Sequence, residues 1–383
     1  MRLIMNKFEK AQEVLRELGG DGWLIISVEN NDINSRFMLG VESPSRHYIY
    51  VAADGNHKII AVEMEAPMIE RSLKKKGVKA EVFSFKSMKE LDGLLSPIVK
   101  KTRVALNFGE NVLSPEGTGY ADFLNAGDYL SMKIMAPQTE FISAAPIIEA
   151  LRRVKTPDEL TDLRNVCKAT IEILETLPDW VKVGMTENDI KAKLEYEYMK
   201  LGRPSFGSIV ATGANSADPH HNTSLKKIEQ GVLLIDSGLQ IDEMSSDITR
   251  TFWVGANPPE DFKKAYTALY EAKNVANDYF TDGTPKKLPA LKCREHLTAK
   301  GYDHEKLFIH GLGHSLGFVA HDIGGSSSWK VPETYKFEEN MVFTSEPGLY
   351  WKDKWGIRLE DDVIIGKDKC EQVTKVSKIP ILI

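Results

Sequence analysis

The chain has 383 residues, 42% of them apolar and 27% charged, a globular balance in a length beyond one compact core, so two domains are expected. A net charge of −6 argues against a broad nucleic-acid or anionic-membrane surface, and no apolar run approaches the roughly 20 residues that span a bilayer. The N-terminal stretch has no secretory apolar region before charged residues resume. Cys167, Cys293 and Cys370 are too far apart for a close-pair metal motif and read as reduced thiols of a cytoplasmic protein.

Residues 1–145 alternate between helical and strand patterns. Phe8, Ala11, Val14, Leu15 and Leu18 recur at helical spacing, and Gly19-Gly20 stops that helix. Trp23-Leu24-Ile25-Ile26 reads as a buried strand. Tyr48-Ile49-Tyr50-Val51 and Ile59-Ile60-Ala61-Val62 flank Asp54-Gly55, a hairpin signal. A helix over 67–76, a strand near Val82, a helix over 87–100 and a strand over 103–108 follow, which makes an α/β domain with a mixed sheet. No chemistry is evident in it. Asn30-Asn31-Asp32 reads as a polar turn and His47 as a surface residue. The boundary falls near 147–155 and divides an N-terminal domain, 1–145, from a C-terminal one, 146–383. Thr156-Pro157-Asp158-Glu159 is a capping box with proline at the first helical position, and a second capped helix starts at Thr186. From Ile209 onward the pattern is strand-rich, with further helices over 261–280 and 288–300.

Five residues of the C-terminal half have metal-ligand chemistry: Asp236, Asp247, His314, Glu346 and Glu360. Val232-Leu233-Leu234-Ile235-Asp236 is an apolar strand that ends in a carboxylate. Asp247 begins the run that returns it, so an antiparallel pair would set Asp236 and Asp247 on one face. Residues 341–346 form a second strand in which Val342, Thr344 and Glu346 share a face. Residues 356–365 would return it with Arg358, Glu360 and Asp362 on one face. His314 lies in the glycine-rich run Phe308-Ile309-His310-Gly311-Leu312-Gly313-His314, with His321 seven residues on and His220-His221 before the first carboxylate strand. Four carboxylates and an imidazole are an oxygen-rich set suited to Mn²⁺ or Co²⁺, with Zn²⁺ and Fe²⁺ also accommodated. Four ionised carboxylates in one pocket repel, and two divalent cations would offset that charge.

Each residue also has a plainer reading. An Asp at a strand end is often a turn former, His310 reads equally as a satisfied core histidine, and Glu360-Asp361-Asp362 as a solvated acidic turn. Asp236 and Glu346 weigh against these readings, because each closes an apolar strand where an unpaired charge is costly. Spacing alone does not identify the reaction.

The blocks Leu234-Ile235-Asp236-Ser237-Gly238, Ser246-Asp247-Ile248-Thr249-Arg250-Thr251, His310-Gly311-Leu312-Gly313-His314, Phe343-Thr344-Ser345-Glu346-Pro347-Gly348 and Gly356-Ile357-Arg358-Leu359-Glu360-Asp361 occur in the order found in the pita-bread metallopeptidases. The chain resembles that family, and within it the prolidase and aminopeptidase P branch. The resemblance is strong from about residue 150 onward and looser before it. It implies an α+β pita-bread catalytic domain behind an α/β domain of the creatinase/prolidase N-terminal type. It implies two divalent metal ions, with Asp236 on one, Asp247 and Glu360 bridging both, and His314 and Glu346 completing the second. By the same likeness Glu346 shuttles a proton and His220 and His321 stabilise the tetrahedral intermediate. His310 and Arg358 join those two histidines in the substrate pocket. The substrates implied are Xaa-Pro dipeptides or short proline-containing peptides, and the assembly a homodimer with the N-terminal domain as lid. One departure bears on substrate length. Prolidases often carry an arginine shortly after the second pocket histidine, whereas here the stretch is Asp322-Ile323-Gly324-Gly325-Ser326-Ser327-Ser328. Aminopeptidase P activity on longer peptides is therefore an alternative. Further rivals are a metal-free creatinase-like amidinohydrolase and a catalytically silent binding module. Retention of all five ligand residues speaks against both.

Overall fold

The structure is a computed structural model that describes residues 6–113 and 118–383. The chain divides into two compact units, the first ending at Arg152 and the second spanning Arg153–Ile383. No helix among the described residues is long and apolar enough to cross a membrane.

The first unit is built on six strands: β1 (Gly22–Ser27), β2 (His47–Ala52), β3 (Lys58–Val62), β4 (Glu81–Phe85), β5 (Arg103–Leu106) and β6 (Glu140–Ser143), in the order β4-β3-β2-β1-β5-β6. Pairing is antiparallel from β1 to β3 and parallel elsewhere, so the sheet is mixed. The β2–β3 hairpin turns at Gly55, whose φ of +86° suits glycine. β1 is buried along its whole length, which explains its unbroken apolar run. The helix Lys7–Glu17 ends where Gly19 enters the left-handed region.

Two residues of this unit depart from the sequence reading. His47 is not at the surface: it lies in β2 fully buried, its Nδ1 2.8 Å from the Ser45 carbonyl and its Nε2 against the Ser35 hydroxyl. Asp32 caps the helix Ile33–Leu39 and is also buried, accepting from Asn34 N at 2.9 Å and Asn107 Nδ2 at 2.6 Å. Burial pushes its pKa up to about 6, against these hydrogen bonds. Residue pairs distant in sequence make this environment, so local pattern does not reveal it.

In the second unit the capping boxes at Thr156 and Thr186 open the helices Pro157–Leu174 and Glu187–Met199. Strands β7 (Ile209–Thr212), β8 (Gly231–Ser237) and β9 (Ile248–Val254) form an antiparallel sheet with β8 central. Two apolar clusters enclose it. Leu233 and Ile235 of β8 pack with the helices Pro157–Leu174 and Glu187–Met199, and Val232 with Glu260–Asn277 and Lys287–Ala299. A sheet covered on both faces needs apolar residues at successive positions, as β8 has. A short pair, β10 (Gly313–His314) and β11 (Ser326–Ser327), follows.

The C-terminal carboxylate strand is not continuous. Residues 356–365 divide between β14 (Trp355–Arg358), which pairs with β13 (Gly348–Trp351), and β15 (Asp361–Ile364), which pairs with β12 (Val342–Ser345). The break at Leu359-Glu360 arises because the chain crosses onto β9: Glu360 N donates to Thr249 O at 3.3 Å and Leu359 N to Pro347 O at 3.2 Å. Asp362 therefore does not face the same pocket as Glu360.

Candidate metal centre

Register carries the carboxylates together. Asp236 pairs with Thr249 in the β8–β9 ladder, and Asp247 lies two residues before Thr249, so the two aspartates are diagonal neighbours on one face. Ser345 pairs with Asp361 in the β12–β15 ladder, which leaves Glu346 and Glu360 opposed just beyond it. His314 enters from β10, where its N–H donates to Thr344 Oγ1 at 3.1 Å. Gly313 is required at that approach, since a Cβ there would stand 2.0 Å from the Thr344 carbonyl oxygen.

A cavity of about 400 Å³ results, and every site residue read from the sequence lines it: Asp236, Asp247, His314, Glu346, Glu360, His220, His310, His321 and Arg358. Its remaining lining is Phe206, Ile209, Pro219, Gly311, Gly313, Ser326 and Ser328. His314 Nε2 lies 3.6 Å from Asp247 Oδ2 and 3.5 Å from Glu346 Oε1. One ligand atom each from Asp247, His314 and Glu360 falls within 4.8 Å of the others.

The electrostatics are those of a crowded carboxyl pocket that resists ionisation. Burial pushes the carboxyls of Asp247 and Glu360 well above the usual range. The neighbouring carboxylates add to this, first Glu360 and Asp236 on Asp247, then Glu346 and Asp236 on Glu360. Glu346 is pushed up to about 8 by burial, opposed by Arg358. Burial takes His314 down to about 3, with His321 adding to it, and His310 likewise to about 3, with Arg358 adding to it. These imidazoles are neutral, the form that ligates a metal. Among the described residues, Arg358 is the only Lys or Arg lining the cavity, against four carboxyl groups. Its Nη2 meets Asp236 Oδ2, while Nη1 reaches Tyr350 OH and the Pro219 carbonyl, both at 3.1 Å, and Nε reaches Thr249 Oγ1 at 2.9 Å. Asp236 Oδ1 is buried without a donor. An orphaned carboxylate oxygen, a neutral imidazole and carboxyls whose ionisation is held back by burial and by one another fit a site that divalent metal would complete.

Three further residues shape the centre without having stood out in the sequence. Thr249 donates to Glu360 Oε2 while accepting from Arg358, Thr344 Oγ1 lies 3.3 Å from Glu346 Oε1, and Tyr350 OH lies 2.9 Å from His310 Nε2. Thr249 and Thr344 each stand two residues from a candidate ligand on a strand. That spacing is their only local signal.

A carboxylate–histidine pocket of this chemistry defines a metal-dependent hydrolase. The sequence pattern of metallopeptidase family M24 matches residues 161–367, more than half of the chain, and the chain belongs to that family. Its fold is the pita-bread fold of the family behind a mixed-sheet N-terminal region. An uncharacterized peptidase of Methanocaldococcus jannaschii is 35% identical over 237 residues, 60% of this chain, and the chain covers 65% of that protein, just under two thirds. The Xaa-Pro dipeptidase of Pyrococcus furiosus is 31% identical over 335 residues, 86% of this chain and 88% of that one. Among solved structures, the X-Pro aminopeptidase of Thermotoga maritima superposes with a TM-score of 0.85 at 26% identity, covering 98% of this chain and 99% of that one.

Proposed function

We propose that this metallopeptidase is a dinuclear exopeptidase that hydrolyses the Xaa-Pro bond of dipeptides or short peptides. The observation that carries the reading is the carboxylate quartet Asp236, Asp247, Glu346 and Glu360, three buried and Glu346 half-buried, around neutral His314, with Arg358 as the one Lys or Arg among the described residues of the lining. Those five residues would hold two divalent ions, Mn²⁺ or Co²⁺ being best suited to the donors. Bound there, such ions supply Lewis-acid polarisation of a carbonyl and a water of lowered pKa. The chain's own residues do the rest. Glu346, its Oε1 steadied by Thr344, takes a proton from the attacking water and delivers it to the departing nitrogen. His220 and His321 flank the ligand set and donate N–H to the carbonyl oxygen as it gains charge. His310, tied to Tyr350, and Arg358, tied to Asp236, hold the pocket wall.

Substrate length has a second reading, an aminopeptidase acting on longer Xaa-Pro peptides. It is favoured by the cations of the lining: Arg358 is committed to four partners, and no other Lys or Arg among the described residues lines the cavity to hold a dipeptide's carboxylate. Assay of one Xaa-Pro dipeptide beside the tripeptide that extends it by one residue separates the two. A kcat/KM higher for the tripeptide supports the aminopeptidase, and the reverse the dipeptidase. Cleavage of neither, with metal bound, refutes the Xaa-Pro reading. The family likeness also supports a homodimer in which the first unit serves as lid, and sedimentation as a monomer at working concentration would remove that part.

A further inference from the structure

The segment between β7 and β8 carries His220 into the cavity, yet residues 213–224 contain only a short 3₁₀ turn, Gly213–Ala217. What holds it is a residue outside the cavity lining. Glu187, the first residue of its helix, is fully buried and accepts five hydrogen bonds, four from this segment and one from the end of β7 that leads into it. Oε1 takes Thr212 N at 2.8 Å and Asn215 Nδ2 at 2.9 Å. Oε2 takes His221 Nε2 at 2.9 Å, Ser224 N at 2.9 Å and Ser224 Oγ at 2.5 Å. The donors run from Thr212, the last residue of β7, to Ser224, and the other three residues belong to the segment itself. Burial works to raise the carboxyl's pKa, and the donors of Ser224, His221 and Thr212 outweigh it, so the group is held below the usual range, as an anion. Its place at the first turn of a helix favours the same charge.

The adjacent histidines thereby take opposite tasks. His221 turns to Glu187, while His220 lines the cavity and its backbone N–H donates to Asp218 Oδ1 at 3.0 Å. From the cavity side Arg358 Nη1 grips the Pro219 carbonyl at 3.1 Å. The segment is held between an anion behind it and a cation in front.

We infer that Glu187 is a positioning residue for catalysis: by gathering Thr212, Asn215, His221 and Ser224 it fixes where the His220 imidazole stands. The inference rests on the reading of His220 as a group that acts on substrate. Misplacement of a reacting or stabilising group by about 1 Å costs on the order of a hundredfold in rate. Glu187→Gln keeps the shape but presents an NH₂ to donors on one side, which breaks two or more of the five bonds. The experiment is a double-mutant cycle of Glu187→Gln with His220→Ala, in Mn²⁺-loaded protein on an Xaa-Pro tripeptide, with metal content measured throughout. Glu187→Gln should lower kcat/KM by about tenfold to a hundredfold in the parent and by less than about threefold in His220→Ala, with metal content unchanged. Equal losses in both backgrounds, no loss in the parent, or loss accompanied by loss of metal overturns the inference. Asn215→Leu removes a single donor and runs through the same cycle with a smaller loss, which decides the matter should Glu187→Gln not fold. A second readout needs no substrate. The His220 ring signals of the metal-free protein, assigned by their absence in His220→Ala, should shift or broaden in Glu187→Gln, and unchanged signals refute the positioning role. A parent that cleaves no Xaa-Pro peptide would fail the functional reading, while the ring signals still decide the role of Glu187.

Discussion

Arg358→Met tests the charge logic of the pocket most directly. The guanidinium is 3% exposed and bonded to Asp236, Tyr350, Thr249 and the Pro219 carbonyl. Methionine fills much of the stem's volume and supplies no donor. In the metal-free protein the substitution takes away the cation paired with Asp236, and breaking a buried ion pair in this way costs about 3–5 kcal/mol. In the metal-loaded protein Asp236 keeps cationic partners, so what is lost is the neutral hydrogen bonding, about 1–2 kcal/mol in total. The expected signature is therefore a destabilisation larger by about 1–4 kcal/mol in EDTA than in saturating Mn²⁺, the difference between those two losses. Urea unfolding of both proteins under both conditions, followed by tryptophan fluorescence, measures it. An equal loss in the two conditions would show that the guanidinium does not share its charge-balancing task with metal, and the account of the pocket would be wrong.

Asp247→Asn should lose bound metal and nearly all activity, since a neutral amide is a poor ligand between cations; two ions per chain in the purified variant would refute this. His220→Ala and His321→Ala should each retain metal yet lower kcat by roughly a hundredfold, and metal loss in either would make that histidine a ligand. Asp32→Asn reports on the first unit. The folded pKa of about 6 exceeds the ordinary value of 3.8, so the carboxyl's favourable contribution is complete below about 4 and lost as pH rises through 6. A shift of that size corresponds to about 3 kcal/mol. The variant's stability relative to the parent should accordingly rise by up to that amount between pH 4 and pH 8, and a difference constant across that range in urea titrations would rule the linkage out.

The metal centre was legible because its carboxylates interrupt apolar strands, and a charge closing Val232-Leu233-Leu234-Ile235 needs a partner from elsewhere in the chain. Period-two alternation placed Asp236 with Asp247, in line with the β8–β9 register, but it also grouped Asp362 with Glu360, which the strand break separates. Less visible was which sheet a strand joins. Residues 356–365 read as one strand, but they serve β13 first and β12 second, and nothing in alternation marks the crossover at Leu359-Glu360. Glu187 was hidden for a different reason: an acid in the first turn after a Thr186 cap already has a local explanation, so its five tertiary donors leave no trace in the pattern. His47 and Asp32 were obscured similarly, because polar residues beside a turn read as solvated until distant partners close over them.

The run Glu360-Asp361-Asp362 shows how one backbone crossover sets chemistry. Three consecutive carboxylates would repel in a single environment, yet the switch from β14 to β15 sends each to a different one. Glu360 meets Thr249 and the cavity. Asp361 is buried among Lys273 Nζ, Arg250 Nη2 at 3.0 Å, Thr374 Oγ1 at 2.9 Å and Val376 N at 3.1 Å. Burial works against its charged form, and Lys273 and Arg250 outweigh it, so its carboxyl is held below the usual range. Asp362 takes the Asp247 N–H and the Cys167 thiol, both at 3.2 Å, and burial pushes it up to about 8. Arg250 adds a second function, since its Nη1 also donates to the Glu360 carbonyl and so ties that backbone to the ion cluster. The middle carboxylate is thus matched by two cations of its own. It leaves Glu360 as the member of the run whose charge faces the pocket, on a backbone anchored from behind by the cluster that Asp361 organises.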